Sequence, residues 1–162
     1  MTNFYYEKHQ LMFIHIPKTG GTSLRKALGT EQHRFFGHIL GHLQDSKSFT
    51  VVRDPMARFS SAIRMFKYGN RLESDHYATP RWPDLTVDIA LDVLEDPWVG
   101  FDRSQRSLPW NLKHHLLPQT HPFNCLHLAE RILRLEQLET DYRDMSQEWG
   151  LPTELPILRS SW

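Results

Sequence analysis

The sequence predicts an α/β fold, a three-layer unit around a central parallel sheet. Three segments of one pattern predict it: a short apolar run, a turn, then apolar residues at helical spacing. The first is Phe13–Ile16, closed by Pro17 and followed by Leu24, Ala27 and Leu28. The second is Ser48–Val52, then Arg53-Asp54-Pro55 and a helical stretch containing Ile63 and Phe66. The third is a strand at 131–135 leading into a helix over 137–149 that Gly150 closes.

The remaining elements follow in order. Residues 11–16 form the first strand, 22–29 the first helix, and 33–39 (HRFFGHI) a short second strand. Residues 48–52 give the next strand and 55–68 a helix. Residues 69–84 are rich in Gly, Asn, Pro, Arg and Asp and predict a loop. Residues 86–95 predict a short helix. The stretch 97–123 holds four of the ten prolines and predicts irregular chain, with a short helix near 104–108. No internal repeat or low-complexity tract is visible.

With 162 residues, one domain spanning 1–162 is expected, large enough for a real core. Nineteen basic residues balance nineteen acidic ones, which argues against a non-specific nucleic-acid binder. A local cluster of cations still suffices for an anionic ligand. Cys125 is the only cysteine, so no intrachain disulfide can form and a reduced compartment fits. The N-terminal MTNFYYEKHQ has neither an apolar leader core nor a membrane span. A cytoplasmic protein without membrane partners is therefore expected.

The chemistry concentrates in two turns. In Pro17-Lys18-Thr19-Gly20-Gly21-Thr22-Ser23 the glycines let the backbone turn closely around a ligand. The hydroxyls of Thr22 and Ser23 and the first free helix N–H groups make a socket for an anion, and Lys18 adds a full charge at its mouth. A phosphate or phosphosulfate suits it. The kinase P-loop places its lysine after the last glycine; here the lysine precedes both. A glycine-rich turn with no ligand is the alternative. In the second turn Arg53 lies at a strand end, Asp54 is an N-cap candidate, and Pro55 suits the first helical turn. Ligands of open parallel sheets bind beyond the carboxyl ends of the strands. One ligand with two separated anionic groups could bridge both turns.

IPKTGGTS followed by VVRDPMARFSS resembles the paired signature of sulfotransferases that use 3′-phosphoadenosine 5′-phosphosulfate (PAPS), and more closely the carbohydrate and Golgi-type branch. The resemblance implies a P-loop-like fold. It implies a 5′-phosphosulfate loop over 17–23, comprising Lys18, Thr19, Gly20, Gly21, Thr22 and Ser23. It implies a 3′-phosphate motif over 53–61, read by Arg53 and Ser61 in the pattern R-D-P-x-x-R-x-x-S. Ser61 reads equally as a plain helix serine, and Arg58 as structural. Looser similarities run on through FGHI (36–39), HLLPQ (115–119), ILRLEQLETD (132–141) and LPILRSS (155–161). In the last, Leu158 and Arg159 replace the family's asparagine and lysine.

The implied activity is in-line transfer of a sulfuryl group from PAPS to a hydroxyl of a carbohydrate or glycosylated small molecule, leaving 3′,5′-adenosine bisphosphate. Lys18 is then the candidate for stabilising the leaving oxygen. The acceptor hydroxyl needs a base, and histidine titrates in the right range. Of ten histidines, His38 is favoured because FGHI matches a segment that supplies a catalytic histidine in uronyl 2-O-sulfotransferases. A partly buried structural histidine is the alternative, and His42 a weaker candidate for the role. His15 is expected to be packed. His38 and His42 lack the companions of a zinc site, so no metal is expected.

Residues 67–120 are the expected acceptor side. Arg71, Arg81, His114 and His115 are the substrate-binding candidates there, among Arg103, Arg106, Lys113, Trp82, Trp98 and Trp110. Each reads equally as surface or core. The chain is short for the family, which leaves room for a homodimer whose second subunit helps close the nucleotide pocket. Two other functions stay open: a kinase or hydrolase with an unusual P-loop, and a non-catalytic nucleotide-binding remnant.

Overall fold

The structure, a computed structural model, describes residues 2–29, 32–36, 45–69, 81–100 and 107–155. Contacts divide the chain into two compact units, one formed by Met1–Asp54 with Gln119–Trp162 and one by Pro55–Pro118.

The first unit holds a five-stranded sheet. Its strands are β1 (Thr2–Tyr6), β2 (Leu11–Ile14), β3 (His33–Phe36), β4 (Lys47–Val52) and β5 (Arg131–Arg134), in the order β3-β1-β2-β4-β5. Pairings β2–β4 and β4–β5 are parallel, as the strand–turn–helix pattern requires. The expectation of a parallel sheet needs one correction: β1 runs antiparallel to both its neighbours. The cause is the connection. Only Glu7–Gln10 join β1 to β2, with Gln10 in the left-handed region at φ 45°. That is far too short for a parallel crossover. β1 itself was not expected. Its residues Phe4, Tyr5 and Tyr6 favour strand, but the segment is too short to declare a period.

β2 is apolar at every position because both its faces are buried. Leu11 and Phe13 face one core, where Phe4, Phe49, Val51 and Leu133 continue the layer. Phe13 and Phe49 stack with centroids 4.9 Å apart. Leu24 and Leu28 of α1 (Gly21–Leu28) and Tyr142 and Met145 of α5 (Leu138–Trp149) close that core. On the opposite face Met12 and Ile14 pack with Cys125, Leu128 and Ala129, from short 3₁₀ turns rather than a helix.

The second unit contains α2 (Pro55–Tyr68), α3 (Val87–Glu95) and α4 (Leu108–Leu116). Ala62, Met65, Phe66, Leu85, Ala90, Leu112 and Leu116 make its core. α4 corrects the expectation of irregular chain. Pro109 falls in the first helical turn, where its missing N–H costs nothing, and the Ser107 side chain caps Trp110 N at 3.3 Å. A proline breaks a helix only beyond its first turn. Arg58 is 3% exposed and donates from Nη1 to the Leu117 carbonyl at 2.9 Å. Burial pushes its guanidinium down to about 10, so it is still charged at neutral pH. Arg58→Ala strands a buried carbonyl and should cost about 1–3 kcal/mol in denaturant unfolding. Wild-type stability would show the bond to be dispensable.

Candidate functional site

The two turns singled out in the sequence follow β2 and β4. These strands are neighbours and parallel, so both turns emerge at one edge of the sheet. At that edge the ladder ends and carbonyls lose their partners. Two threonines supply them: Thr50 Oγ1 donates to Ile14 O at 2.7 Å, and Thr19 Oγ1 to Ile16 O at 2.7 Å. Both threonines are fully buried. Thr19 therefore holds the loop's own backbone.

The loop is conformationally costly. Lys18 lies at φ 67°, a region that disfavours a side chain, and Gly20 at φ 88°. Gly20 precedes α1 without a side-chain cap, so the helix start relies on backbone alone. Ser23 N donates back to Gly20 O at 3.1 Å. A Cβ on Gly21 would overlap the His15 ring. That ring lies against Phe4 and Phe13, with centroids 5.7 Å and 5.5 Å away. His15 is packed, as expected, and it packs against the first residue of α1.

Arg53 is half-buried, and its Nη1 donates to the Lys18 carbonyl at 3.3 Å. This bond joins the two turns directly. The Gln119 carboxamide holds the Arg53 backbone at both ends. Oε1 accepts from Arg53 N at 2.9 Å, and Nε2 donates to Arg53 O at 2.8 Å. Next to it, Asp54 N donates to Glu136 Oε1 at 2.8 Å. Sequence reasoning gave neither Gln119 nor Glu136 a role. HLLPQ and ILRLEQLETD were noted as similarities, but a side chain that grips another residue's backbone leaves no periodic signal.

Thr22 and Ser23 lie half-buried in the first turn of α1. Ser61 is half-buried on α2, in the second unit. The described substrate-binding candidates also lie in the second unit. Arg81 is exposed. His114 is 5% exposed, with Nδ1 2.7 Å from the Trp110 carbonyl. His115 Nδ1 is 2.8 Å from the Asn111 carbonyl. A carbonyl only accepts, so in both rings Nδ1 carries the proton. His38 and Arg71 lie outside the described residues.

A cavity of about 760 Å³ opens beside the C-terminal end of α1, lined among others by Lys26, Glu139, Arg143 and Leu155. None of the predicted site residues lines it. Its lining mixes both charges, and Arg143 already pairs with Glu139 at 3.3 Å. We therefore place the candidate site at the two turns. No helix among the described residues is long and apolar enough to cross a membrane.

The lysine-bearing turn after β2 is thus tied by a hydrogen bond to the arginine after the next parallel strand of an α/β sheet. The family is specific: the sulfotransferase family model matches residues 2–161, and the chain belongs to that family. Its activity in general terms is sulfuryl transfer. Neither a curated protein nor a solved structure matches the chain significantly.

Proposed function

We propose that this protein transfers the sulfuryl group of PAPS to a hydroxyl of a carbohydrate or glycosylated small molecule. The observation that carries the reading is the Arg53–Lys18 bond, which brings a second cation to the lysine loop. Two cations on neighbouring turns suit a ligand with two separated anionic groups better than a single phosphate. The residues present fit such a ligand. Lys18 and the N–H groups opening α1 face the 5′ side, and Arg53 takes the 3′-phosphate. The family motif also implies a 3′-phosphate role for Ser61.

The donor contributes a sulfuryl group on a phosphate leaving group. The acceptor oxygen forms the new S–O bond as the S–O bond to phosphate breaks. His38 takes the acceptor's proton, and Lys18 stabilises charge on the departing oxygen. Oriented charge of this kind is typically worth more to the transition state than to the ground state.

Calorimetry with 3′,5′-adenosine bisphosphate and with ATP·Mg²⁺ tests the nucleotide. The bisphosphate should bind more tightly, and tighter ATP binding would move the protein to phosphoryl chemistry. Incubation with PAPS and a glycan panel should then add one sulfuryl mass to an acceptor. His38→Ala should slow that step by about 10²–10⁴-fold. Normal turnover by this variant would remove His38 as the base.

A further inference from the structure

We propose that Gln119 is a positioning residue that sets Arg53 for its anion. The parallel ladder ends with the Val52–Arg134 pair, so the Arg53 backbone is the first beyond it. Its N–H and its C=O both bond to one side chain, that of Gln119. A carboxamide presents one acceptor and two donors on a flat group, as a peptide unit presents one of each. Gln119 thus acts as a one-residue extension of the sheet. A carboxylate could only accept here and an ammonium only donate. Asparagine has the right group on a side chain one methylene shorter.

Fixing this backbone has a consequence at the side chain. A backbone held at both polar groups turns less freely, so the Arg53 side chain leaves it in one direction. From there Nη1 reaches the Lys18 carbonyl at 3.3 Å. Lys18 is itself in the strained left-handed region. The bonds therefore run unbroken from Gln119 through Arg53 to the lysine loop. All of them lie within the first unit. Gln119 is also where the chain re-enters that unit, and Asp54 where it leaves. A purely structural tie between those two points is the competing explanation.

The proposal rests on the reading of Arg53 as the 3′-phosphate ligand, and the test separates the two. Affinities for 3′,5′-adenosine bisphosphate and adenosine 5′-monophosphate are measured for wild type, Gln119→Leu, Gln119→Glu and Arg53→Ala. Wild type should prefer the bisphosphate. Gln119→Leu should cut that preference about tenfold, the scale of one lost hydrogen bond to a charged group, weakening the bisphosphate more than the monophosphate. Gln119→Glu, which keeps only the acceptor, should shift it in the same direction. Either change made on top of Arg53→Ala should add nothing. An intact preference in the folded variants overturns the proposal, as does equal weakening of both ligands. If the Leu variant does not fold, the Glu variant decides; if neither folds, Gln119 is a scaffold residue and the proposal falls. A wild type without preference overturns the function reading first, and this proposal with it.

Discussion

Lys18→Gly should be more stable than Lys18→Ala by about 1 kcal/mol, while both turn over about 10²–10³-fold more slowly than wild type. The two variants lose the same side chain, so their difference isolates the backbone. Lys18 sits at φ 67°. That region costs an L-residue about 1–2 kcal/mol and costs glycine almost nothing. Glycine returns part of this through the greater freedom of its unfolded chain, roughly 0.4–1 kcal/mol. The remainder amounts to a few degrees in melting temperature for a chain of this size. A residue held in a disfavoured conformation at the proposed donor loop is in keeping with a role for its side chain there. Lys18→Arg keeps the charge and should retain more turnover than either. Melting curves and initial rates decide both halves. Equal stability of the Gly and Ala variants would remove the strain argument, and turnover within tenfold of wild type would remove the leaving-group role.

The elements legible in the sequence were those whose signal is local. β2 and β4 are short runs rich in apolar residues ended by Pro17 and by Arg53-Asp54-Pro55, β5 is a short strand leading into a helix, and each was expected within two residues of its observed bounds. α2 and α5 announce themselves through Pro55 at the start and Gly150 at the close. The two turns that hold the candidate site were legible as turns for the same reason, since Lys18, Gly20 and Arg53 lie in contiguous motifs. Pairing direction was not legible for β1, because it depends on the length of the Glu7–Gln10 connection rather than on β1's own residues. α4 was hidden by a rule applied without position, as Pro109 is harmless in a first turn. Gln119 and Glu136 were beyond reach for a different reason. Their partners stand 66 and 82 residues away in the chain, and only the folded sheet edge brings them together.

Gly21→Ala should lose about 10²-fold in turnover, and His15→Ala should restore part of it in the double variant. The argument concerns space. Gly21 opens α1, and a methyl group there would overlap the imidazole of His15. The ring is braced on one side, because it lies against both Phe4 and Phe13, and the His15 backbone N–H is held by Asn3 Oδ1 at 3.1 Å. The expected response is an outward shift of the first turn of α1, carrying the N–H groups that would meet the 5′ anion. A displacement near one ångström at a reacting centre is worth about that loss. His15→Ala removes the obstacle and lets the turn settle back. Gly20→Ala provides the control. Its conflict is a φ of 88° together with the Leu135 side chain, and neither involves His15, so His15→Ala should not rescue it. Turnover and bisphosphate affinity of the two single glycine variants and their His15→Ala doubles make the comparison. Rescue of both would show that His15→Ala acts by general loosening, and rescue of neither would show that the ring does not set the height of the helix.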